Sequence, residues 1–480
     1  MNIIVPKEFT SFNDLEKFIY GFVCIIGQEM TRYILERNDT ELFSLRDPKT
    51  YRYKDMRNTS IKTLYGTVEY TRRRYNHIQE NGSGKSCYLL DEMIKIDKIG
   101  LVSSNLAERI AHSITEETYR ATADSISTLS GQHISPQGVW NLVQKLGERI
   151  SREEEEDVLK LEAGELSGEE VAKVIFEEMD GVWLNMQGKK HKKMPKQEMK
   201  VATTYEGWEK QGHKSYTLVN KRMFAGMERS EEFHKKREAQ LEAKYDRDEI
   251  QYRILGGDGA GWIKDDYADK DGYLVQTDRF HIFREIRRCI KPKAVQKEIK
   301  NLLNQKRLNE MLEYIDTYAN SVASEDDPDK NEEKARKLYT YLKNNYDDLI
   351  PYGERGIAIP QPVPGIVYRN LGVQENQNCS LITLRMKNRR MRWSVNGANN
   401  LAKLKYRKSN GELTETIRRY STPLLQALSF GEILNDVLSA AQTAKKDGKG
   451  NPYIDILNCH MPLFDTAMTA SKKALRRVFE

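Results

Sequence analysis

Two aspartates, Asp180 and Asp258, could together hold divalent metal ions. Asp180 lies inside an apolar run typical of a β-strand, and Asp258 directly follows a second such run, Tyr252–Gly257. Two carboxylates brought close together repel each other unless cations lie between them. Oxygen ligands suit Mg²⁺, and two such ions about 3.5–4 Å apart can hold the attacking and leaving oxygens of an in-line phosphoryl transfer. Either aspartate alone is more often a turn or helix-capping residue.

The order of the predicted elements indicates how the two aspartates could meet. Beyond residue 170 the sequence predicts three strands, a helix, a strand, a second helix and a final strand. The strands are Ala172–Leu184, Val201–Tyr205, Ser215–Val219, Tyr252–Gly257 and Tyr273–Thr277. This is the order of an RNase H-like domain, whose first strand pairs beside the fourth. Asp180 and Asp258 would then face each other, and a third acid on a later helix would complete the metal site.

Composition limits the class of protein. The 480 residues carry 77 lysines and arginines against 71 acidic residues, a net charge of +6, and the length favours two to four domains. Five scattered cysteines without a CxxC pair argue against a disulfide framework or a zinc knuckle, and Cys459-His460 is interpreted as a chance pair. The longest early apolar run, Phe18–Gly27, is too short to cross a bilayer. We therefore expect a cytoplasmic protein with no membrane partner.

A DNA-binding region is predicted before residue 150. An amphipathic core helix over residues 11–37 and a β-hairpin over residues 60–75 come first. Two helices then flank a short turn, and Ser135-Pro136 begins the second of them. This helix-turn-helix pattern would direct five side chains towards base edges or phosphates, namely Gln137, Trp140, Asn141, Gln144 and Lys145. Any hairpin of two helices gives the same pattern.

Charge and periodicity divide the rest of the chain. Residues 151–170 are acidic and punctuated by glycine, which predicts a linker. Residues 293–349 are helical by period. From Arg385 to Lys408 nine lysines and arginines occur without an acidic residue. Such a segment is usually a solvated face, but it can also neutralise phosphates.

Several strings of residues together resemble the ISLre-type insertion-sequence transposases of bacteria, a DDE group related in layout to the Mutator-like transposases. The strings are Glu178-Met179-Asp180-Gly181-Val182, Gly256-Gly257-Asp258-Gly259-Ala260-Gly261-Trp262, Asp278-Arg279-Phe280-His281, and Glu375 followed by Arg385-Met386-Lys387 and Trp393-Ser394. Their order and spacing, over nearly the whole chain, carry the resemblance.

The resemblance implies a fold and an activity. The fold would be α/β: an RNase H-like mixed-sheet catalytic domain interrupted by an all-α insertion, preceded by an α-rich region with a β-hairpin and a helix-turn-helix. The expected N-terminal parts are 1–97 for the first helix and hairpin, 98–150 for the helix-turn-helix and 151–170 for the linker. The core would comprise 171–290 and, with the C-terminal helices, 370–480, and the insertion between these two parts would be 291–369. The enzyme would cut the ends of a mobile DNA element and join the 3′-hydroxyls to a target, using two Mg²⁺ or Mn²⁺ ions.

The resemblance also implies which acids bind the metal. Asp180 and Asp258 match the first two acids of the family, and Glu375 matches the third. Glu354 is the rival for the third place. It lies in a loop bounded by proline and glycine, whereas Glu375 precedes a basic segment compatible with a helix.

Asp278 and His281 match a signature that accompanies the second acid in Mutator-like enzymes. By that resemblance they would support the active site, orienting a carboxylate or the DNA without binding metal directly. The alternative for His281 is a buried structural hydrogen bond.

The basic segment would bind DNA. Arg385, Lys387, Arg389 and Arg392 would contact the phosphates beside the cut, and Trp393 would either stack on an unpaired base or pack in the core. A transposase must process two element ends together, so we expect at least a homodimer bound to DNA. Two rivals stay open: a metal-dependent nuclease without strand transfer, and a DNA-binding protein without catalysis.

Overall fold

The computed structural model describes most of the chain up to residue 419, in the ranges 9–78, 84–94, 98–99, 101–189, 192–264, 271–323 and 330–419. The predicted C-terminal helices beyond residue 419 and the pair Cys459-His460 lie outside the described residues. Contacts divide the chain into two compact units, Met1–Leu146 with Leu413–Glu480, and Gly147–Glu412. Within the part that the structure describes, every helix is too short or too polar to span a bilayer.

The first unit begins with a helix and a hairpin that both extend beyond their predicted ends. These elements are α1 (Phe12–Leu45), β1 (Tyr51–Thr63) and β2 (Gly66–Ile78). The Ser11 side chain caps α1 by accepting a hydrogen bond from the Asp14 amide at 3.2 Å. The hairpin turn is short because Thr63 pairs directly with Gly66. The φ of +125° at Gly66 favours glycine at this position.

The second half of α1 packs into an apolar cluster of this unit, whereas most apolar residues of the first half do not. Leu35 and Leu42 are buried in one cluster with Val68 and Tyr70 of the hairpin. Apolar residues of the first half are exposed among the described residues, namely Phe12, Ile19, Val23 and Ile26. The prediction of a core helix is therefore wrong for this half. Hydrophobic periodicity shows that a helix face is apolar, but it does not show what covers that face.

The remaining elements of the first unit complete a small sheet and a group of helices. They are β3 (Gly84–Cys87), α2 (Leu89–Ile94), β4 (Lys98–Ile99), β5 (Val102–Ser103), α3 (Ser104–Ile114), α4 (Tyr119–Leu129), the first part of α5 (Pro136–Glu162) and α14 (Leu413–Arg418). The sheet has the order β3-β2-β1-β5-β4. Helix α14 packs on α3, where Thr414 donates to Glu108. The predicted range 370–480, which combined the second part of the core with C-terminal helices, includes this helix, and its contacts assign it to the first unit.

Two predictions about α5 have opposite outcomes. The Ser135 side chain accepts from the Gly138 amide at 3.1 Å, as expected for the residue that begins this helix. The acidic linker is wrong at its start, because α5 continues through the acidic run to Glu162. The helix tolerates this charge because Glu153 and Glu154 are buried against basic side chains, including Lys403.

The second unit contains a mixed sheet. Its strands are β6 (Val174–Gln187), β7 (Lys193–Tyr205), β10 (Arg222–Gly226), β11 (Tyr252–Gly257) and β12 (Tyr273–Thr277), in the order β10-β7-β6-β11-β12. β6, β7 and β10 pair antiparallel, whereas β11 is parallel to both β6 and β12. The long first strand thus lies at the centre of the sheet, beside the fourth. The chain is α/β, as predicted.

Helices and a small second sheet surround this mixed sheet. The helices are α6 (Ser230–Glu242), α7 (Gly261–Lys264), α8 (Arg279–Cys289), α9 (Lys293–Asn304), α10 (Leu308–Ser321), α11 (Asn331–Asn344), α12 (Gln374–Asn378), a π-helical segment (Cys379–Lys387) and α13 (Val395–Ser409). β8 (Trp208–Lys210), β9 (Tyr216–Leu218) and β13 (Ile366–Val367) form the small sheet. Helices α9 to α11 share one apolar cluster with α8, where the sequence predicts a helical region.

A cluster of four buried charges lies in the second unit. Lys403 contacts Glu154 and Glu228, and Lys236 contacts the same two carboxylates. Burial raises the pKa of Glu228, but the charges of Lys403 and Lys236 outweigh this effect and hold the pKa at about 2. Removing one member therefore leaves a buried charge without compensation.

We expect Lys403→Met to lower the free energy of unfolding by about 3 kcal/mol, the low end for breaking a buried ion pair. Chemical denaturation followed by circular dichroism measures this change. Lys337→Met is the matched control, because Lys337 forms an exposed pair with Glu333, and exposed pairs contribute about 0–1 kcal/mol. Equal effects of the two substitutions would contradict the assigned role of Lys403.

Candidate metal centre

The sheet brings the two predicted aspartates to neighbouring positions. Asp180 is buried within β6, opposite Val201 of β7. Gly256 of β11 pairs with Glu178 of β6 in a parallel register. Asp258 directly follows Gly257, the last residue of β11. Its charge raises the pKa of Asp180, but the group of ligand atoms that lie within 4.8 Å of one another contains Asp180 without Asp258.

Helix α12 brings Glu375 to the same place. Ligand atoms of Asp180, His281 and Glu375 all lie within 4.8 Å of one another. The rival glutamate, Glu354, instead forms an ion pair with Lys306 at 2.9 Å, in which both side chains are half-exposed. Of the two candidates for the third acid, the structure places Glu375 beside Asp180.

The carboxylates influence one another electrostatically. Burial raises the pKa of Asp180, and the negative charges of Asp258 and Glu375 raise it further, while His281 opposes the shift. Burial also raises the pKa of Glu198, a β7 residue that the sequence analysis missed, and Asp258 and Asp180 contribute to that shift. A site with this much negative charge is stabilised by a cation.

Asn378 fixes the orientation of the Asp180 carboxylate. Its side-chain amide donates to Asp180 Oδ2 at 2.7 Å. Gln374 donates in turn to Asn378 Oδ1 at 2.9 Å and to the Val201 carbonyl at 3.1 Å. Asn378 follows Glu375 by three residues, so the two side chains lie on one helix face. That spacing is the sequence signal that could have identified Asn378.

Glu178 holds the start of α12. One oxygen of its buried carboxylate accepts from the backbone amides of Gly372, Val373 and Gln374 at 3.0, 2.9 and 3.2 Å. The other oxygen accepts from the Tyr205 hydroxyl at 2.6 Å. Burial raises the pKa of Glu178, while these donors oppose the shift. Glu178 precedes Asp180 by two residues and therefore points to the same face of the sheet.

Asp278 and His281 lie on α8, beside the acids. The Asp278 side chain begins the helix by accepting from the Phe280 amide at 3.0 Å. His281 Nε2 is 3.8 Å from Asp180 Oδ2 and 3.7 Å from Asp278 Oδ2. His281 Nδ1 has no hydrogen-bond partner among the described residues. The alternative of a buried structural hydrogen bond from His281 is therefore not supported by this geometry.

The basic segment divides into exposed and buried residues. Lys387, Arg389 and Arg392 are exposed. Arg385 is buried, with its guanidinium carbon 5.4 Å from the centre of the Trp393 ring. Trp393 is buried too, and its indole nitrogen donates to the Met386 carbonyl at 2.7 Å. Core packing is thus the better interpretation of Trp393, and the predicted phosphate contact of Arg385 is not supported.

The predicted DNA-reading residues lie on α5 in the first unit. Gln137, Asn141 and Lys145 are exposed, and Gln137 donates to Asn141 at 2.9 Å. Gln144, also expected to point outward, is buried. The structure contains no nucleic acid, so contact with DNA stays a prediction.

We expect Glu178→Ala to release the start of α12, because three backbone amides lose their common acceptor. Hydrogen exchange at Gly372, Val373 and Gln374 should accelerate by at least about fivefold, since an unsatisfied buried group costs about 1–3 kcal/mol. Amides of α10, such as that of Ile315, should be unaffected. Glu333→Ala is the control, because Glu333 is an exposed carboxylate of α11. Unchanged exchange at the three amides would exclude this role of Glu178.

Comparison with known proteins identifies the family of the chain. The UPF0236 family, described as an uncharacterised protein family, matches residues 5–421. The chain is 24% identical over 425 residues to the "UPF0236 protein in vanSb 3'region" of Streptococcus gallolyticus, covering 87% of each. It is 22% and 21% identical over 361 residues to two UPF0236 proteins of Caldanaerobacter subterraneus, covering 74% of this chain and 68% of each relative. Since the family match covers most of its length, the chain belongs to the UPF0236 family.

Proposed function

We propose that this protein is a DNA transposase of the ISLre type, which cleaves the ends of an insertion sequence and joins the 3′-hydroxyls to target DNA. Two observations carry the proposal: ligand atoms of Asp180, within the first strand of the mixed sheet, and Glu375, on a later helix, lie within 4.8 Å of each other, and the charge of Asp258, directly after the fourth strand, raises the pKa of Asp180. The strand order, with the first strand beside the fourth, supports the proposed RNase H-like domain.

The residues fit a pair of divalent cations. Asp180 is buried near two further acids that raise its pKa, and carboxylate oxygens are the ligands that Mg²⁺ and Mn²⁺ accept. Asp180, Asp258 and Glu375 would hold the ions. Bound there, the ions would activate the attacking oxygen and stabilise the leaving oxyanion.

Other residues of the second unit position the acids and the substrate. Asn378 keeps the Asp180 carboxylate in one orientation, and Glu178 keeps Glu375 against the sheet through the amides at the start of α12. The exposed cations Arg389 and Arg392 follow the same helical segment. In the proposed function they contact the phosphates beside the scissile bond.

The names of two relatives support transposition over simple nuclease activity. One Caldanaerobacter relative carries eleven locus designations in its name, and another carries four. A protein encoded at many loci of one genome is expected when its own gene is copied or moved. Transposition also implies DNA ends as the substrate and at least two copies of the chain, because both ends of an element must be processed together.

We expect Asp180→Asn and Asp258→Asn each to abolish metal-dependent cleavage of DNA carrying the element ends. DNA affinity should change by less than about threefold, because these carboxylates bind metal and not phosphates. Asp180→Asn should not lower the melting temperature, since it removes a repelling buried charge. Cleavage gels and fluorescence anisotropy provide the measurements, and Asp316→Asn, at an exposed site on α10, is the control.

The products of the same assay separate transposition from its rivals. Joining of a cleaved 3′ end to new DNA supports a transposase. Cleavage without joining identifies a nuclease, and specific DNA binding without cleavage identifies a non-catalytic DNA-binding protein. Wild-type activity in either aspartate variant would remove that residue from the metal site.

We expect the double variant Arg389→Ala with Arg392→Ala to bind DNA more weakly and with a shallower salt dependence. The slope of log K against log salt should fall by about 2, because each lost phosphate contact contributes about 0.9. Arg307 and Arg336 provide the control pair, since acidic neighbours neutralise both. An unchanged slope would exclude the two arginines from the DNA-binding surface.

A further inference from the structure

We infer that His281 is a direct ligand of the ion held by Asp180 and Glu375, and that this imidazole makes the site selective for Mn²⁺ over Mg²⁺. The inference rests on the metal site of the proposed function. It departs from the supporting role that the family resemblance implies for His281, and it follows from the placement of the imidazole in this chain.

The imidazole is buried, and one of its two nitrogens has no hydrogen-bond partner among the described residues. His281 is 3% exposed, and its Nδ1 has no partner there. Its Nε2 lies 3.8 Å from Asp180 Oδ2, beyond the usual N–H···O limit of about 3.2 Å. An ion between Nε2 and the acids would bring that nitrogen and the carboxylate oxygens into one coordination sphere.

The distances from His281 Nε2 to the Asp180 and Asp278 carboxylates fit coordination of a shared ion better than a direct ion pair. A protonated imidazole between Asp180 and Asp278 would be expected about 2.8 Å from at least one carboxylate oxygen. Both separations are instead 3.7–3.8 Å. Ligand atoms that each lie about 2.1 Å from one ion are about 3–4 Å from each other. The ligand atoms of Asp180, His281 and Glu375, all within 4.8 Å, surround a common point.

The surroundings hold His281 in this position. Asp278 begins α8 three residues earlier. Ile282 and Ile286 of the same helix are fully buried in the apolar cluster beneath it. Across the site, Asn378 orients the facing carboxylate of Asp180. The imidazole is therefore presented by a rigid helix, as a metal ligand must be.

The donor set determines which ion is preferred. Mg²⁺ is bound by oxygen ligands and retains several of its waters. Imidazole nitrogen suits the first-row transition metals, and the affinity of mixed nitrogen and oxygen sites rises from Mn²⁺ along that series. A site with two carboxylates and one imidazole should therefore bind Mn²⁺ more tightly than Mg²⁺.

The test is metal binding by the full chain, measured without DNA. Titration followed by the electron paramagnetic resonance signal of free Mn²⁺ gives the affinity, and competition gives the affinity for Mg²⁺. Electron spin-echo envelope modulation then reports whether a nitrogen nucleus is coordinated to the bound Mn²⁺. We expect nitrogen coupling in the wild type and at least about tenfold tighter binding of Mn²⁺ than of Mg²⁺.

His281→Gln should remove the nitrogen coupling and weaken Mn²⁺ binding by about tenfold, with less than about threefold effect on Mg²⁺. The control is His234→Gln, which alters a second buried histidine, hydrogen-bonded to the Trp262 carbonyl at 2.6 Å. Thermal melting checks that each variant is folded. Bound Mn²⁺ without nitrogen coupling in the wild type would overturn the inference. Equal weakening of both metals in folded His281→Gln would also overturn it, because a merely structural residue has that effect.

The outcome is separable from that of the proposed function. If bound Mn²⁺ shows nitrogen coupling but the protein neither cuts nor joins DNA, the metal site is supported and the proposed transposase function is wrong. If the protein joins DNA strands but its bound Mn²⁺ has no coordinated nitrogen, the transposase function is supported and the proposed role of His281 is wrong.

Discussion

The acidic site of the second unit depends on one buried carboxylate, that of Glu178, and on the three consecutive backbone amides that donate to it. A carboxylate without an adjacent cation is stable inside a protein only when several donors satisfy it. Strand β6 and the start of α12 therefore cannot separate without leaving an unsatisfied charge. Since α12 carries Glu375 and Asn378, this hydrogen bonding also determines where those side chains lie.

The neighbourhood of Asp180 follows from this constraint. Gly256 pairs with Glu178 across the sheet, and a Cβ at this position would lie 2.9 Å from Cδ1 of Leu371, which precedes the three amides. The glycine thus leaves room for the segment that the Glu178 carboxylate binds. Asn378, one turn into the helix, then reaches Asp180 itself. Strand, glycine and helix start together form one rigid support for the acids.

The sequence was sufficient where the physical signal is local or topological. Alternating and apolar runs predicted β6, β7, β11 and β12, and the predicted order set the first strand beside the fourth, as observed. They missed β10 and assigned Ser215–Val219 to this sheet, whereas β9 belongs to the small sheet. Charge patterns were less reliable. The acidic run after residue 152 is helical and partly buried, because Lys403 and Tyr406, some 250 residues later, satisfy Glu154. Arg385 is likewise buried in a segment expected to be solvated. Sequence alone does not show which charges meet a distant partner.

The positioning residues of the site were missed for the same reason. Glu178 and Asp180 occupy equivalent positions on one face of β6, and only their distant partners distinguish the acceptor of backbone amides from a member of the candidate metal site. The distance along the chain between these partners also determines the order in which the ribosome adds them. Asn378 follows Asp180 by 198 residues, and ribosomes add about 5–20 residues per second. A growing chain therefore carries Asp180 for about 10–40 s before Asn378 is added, so the carboxylate stays without its orienting partner during that time.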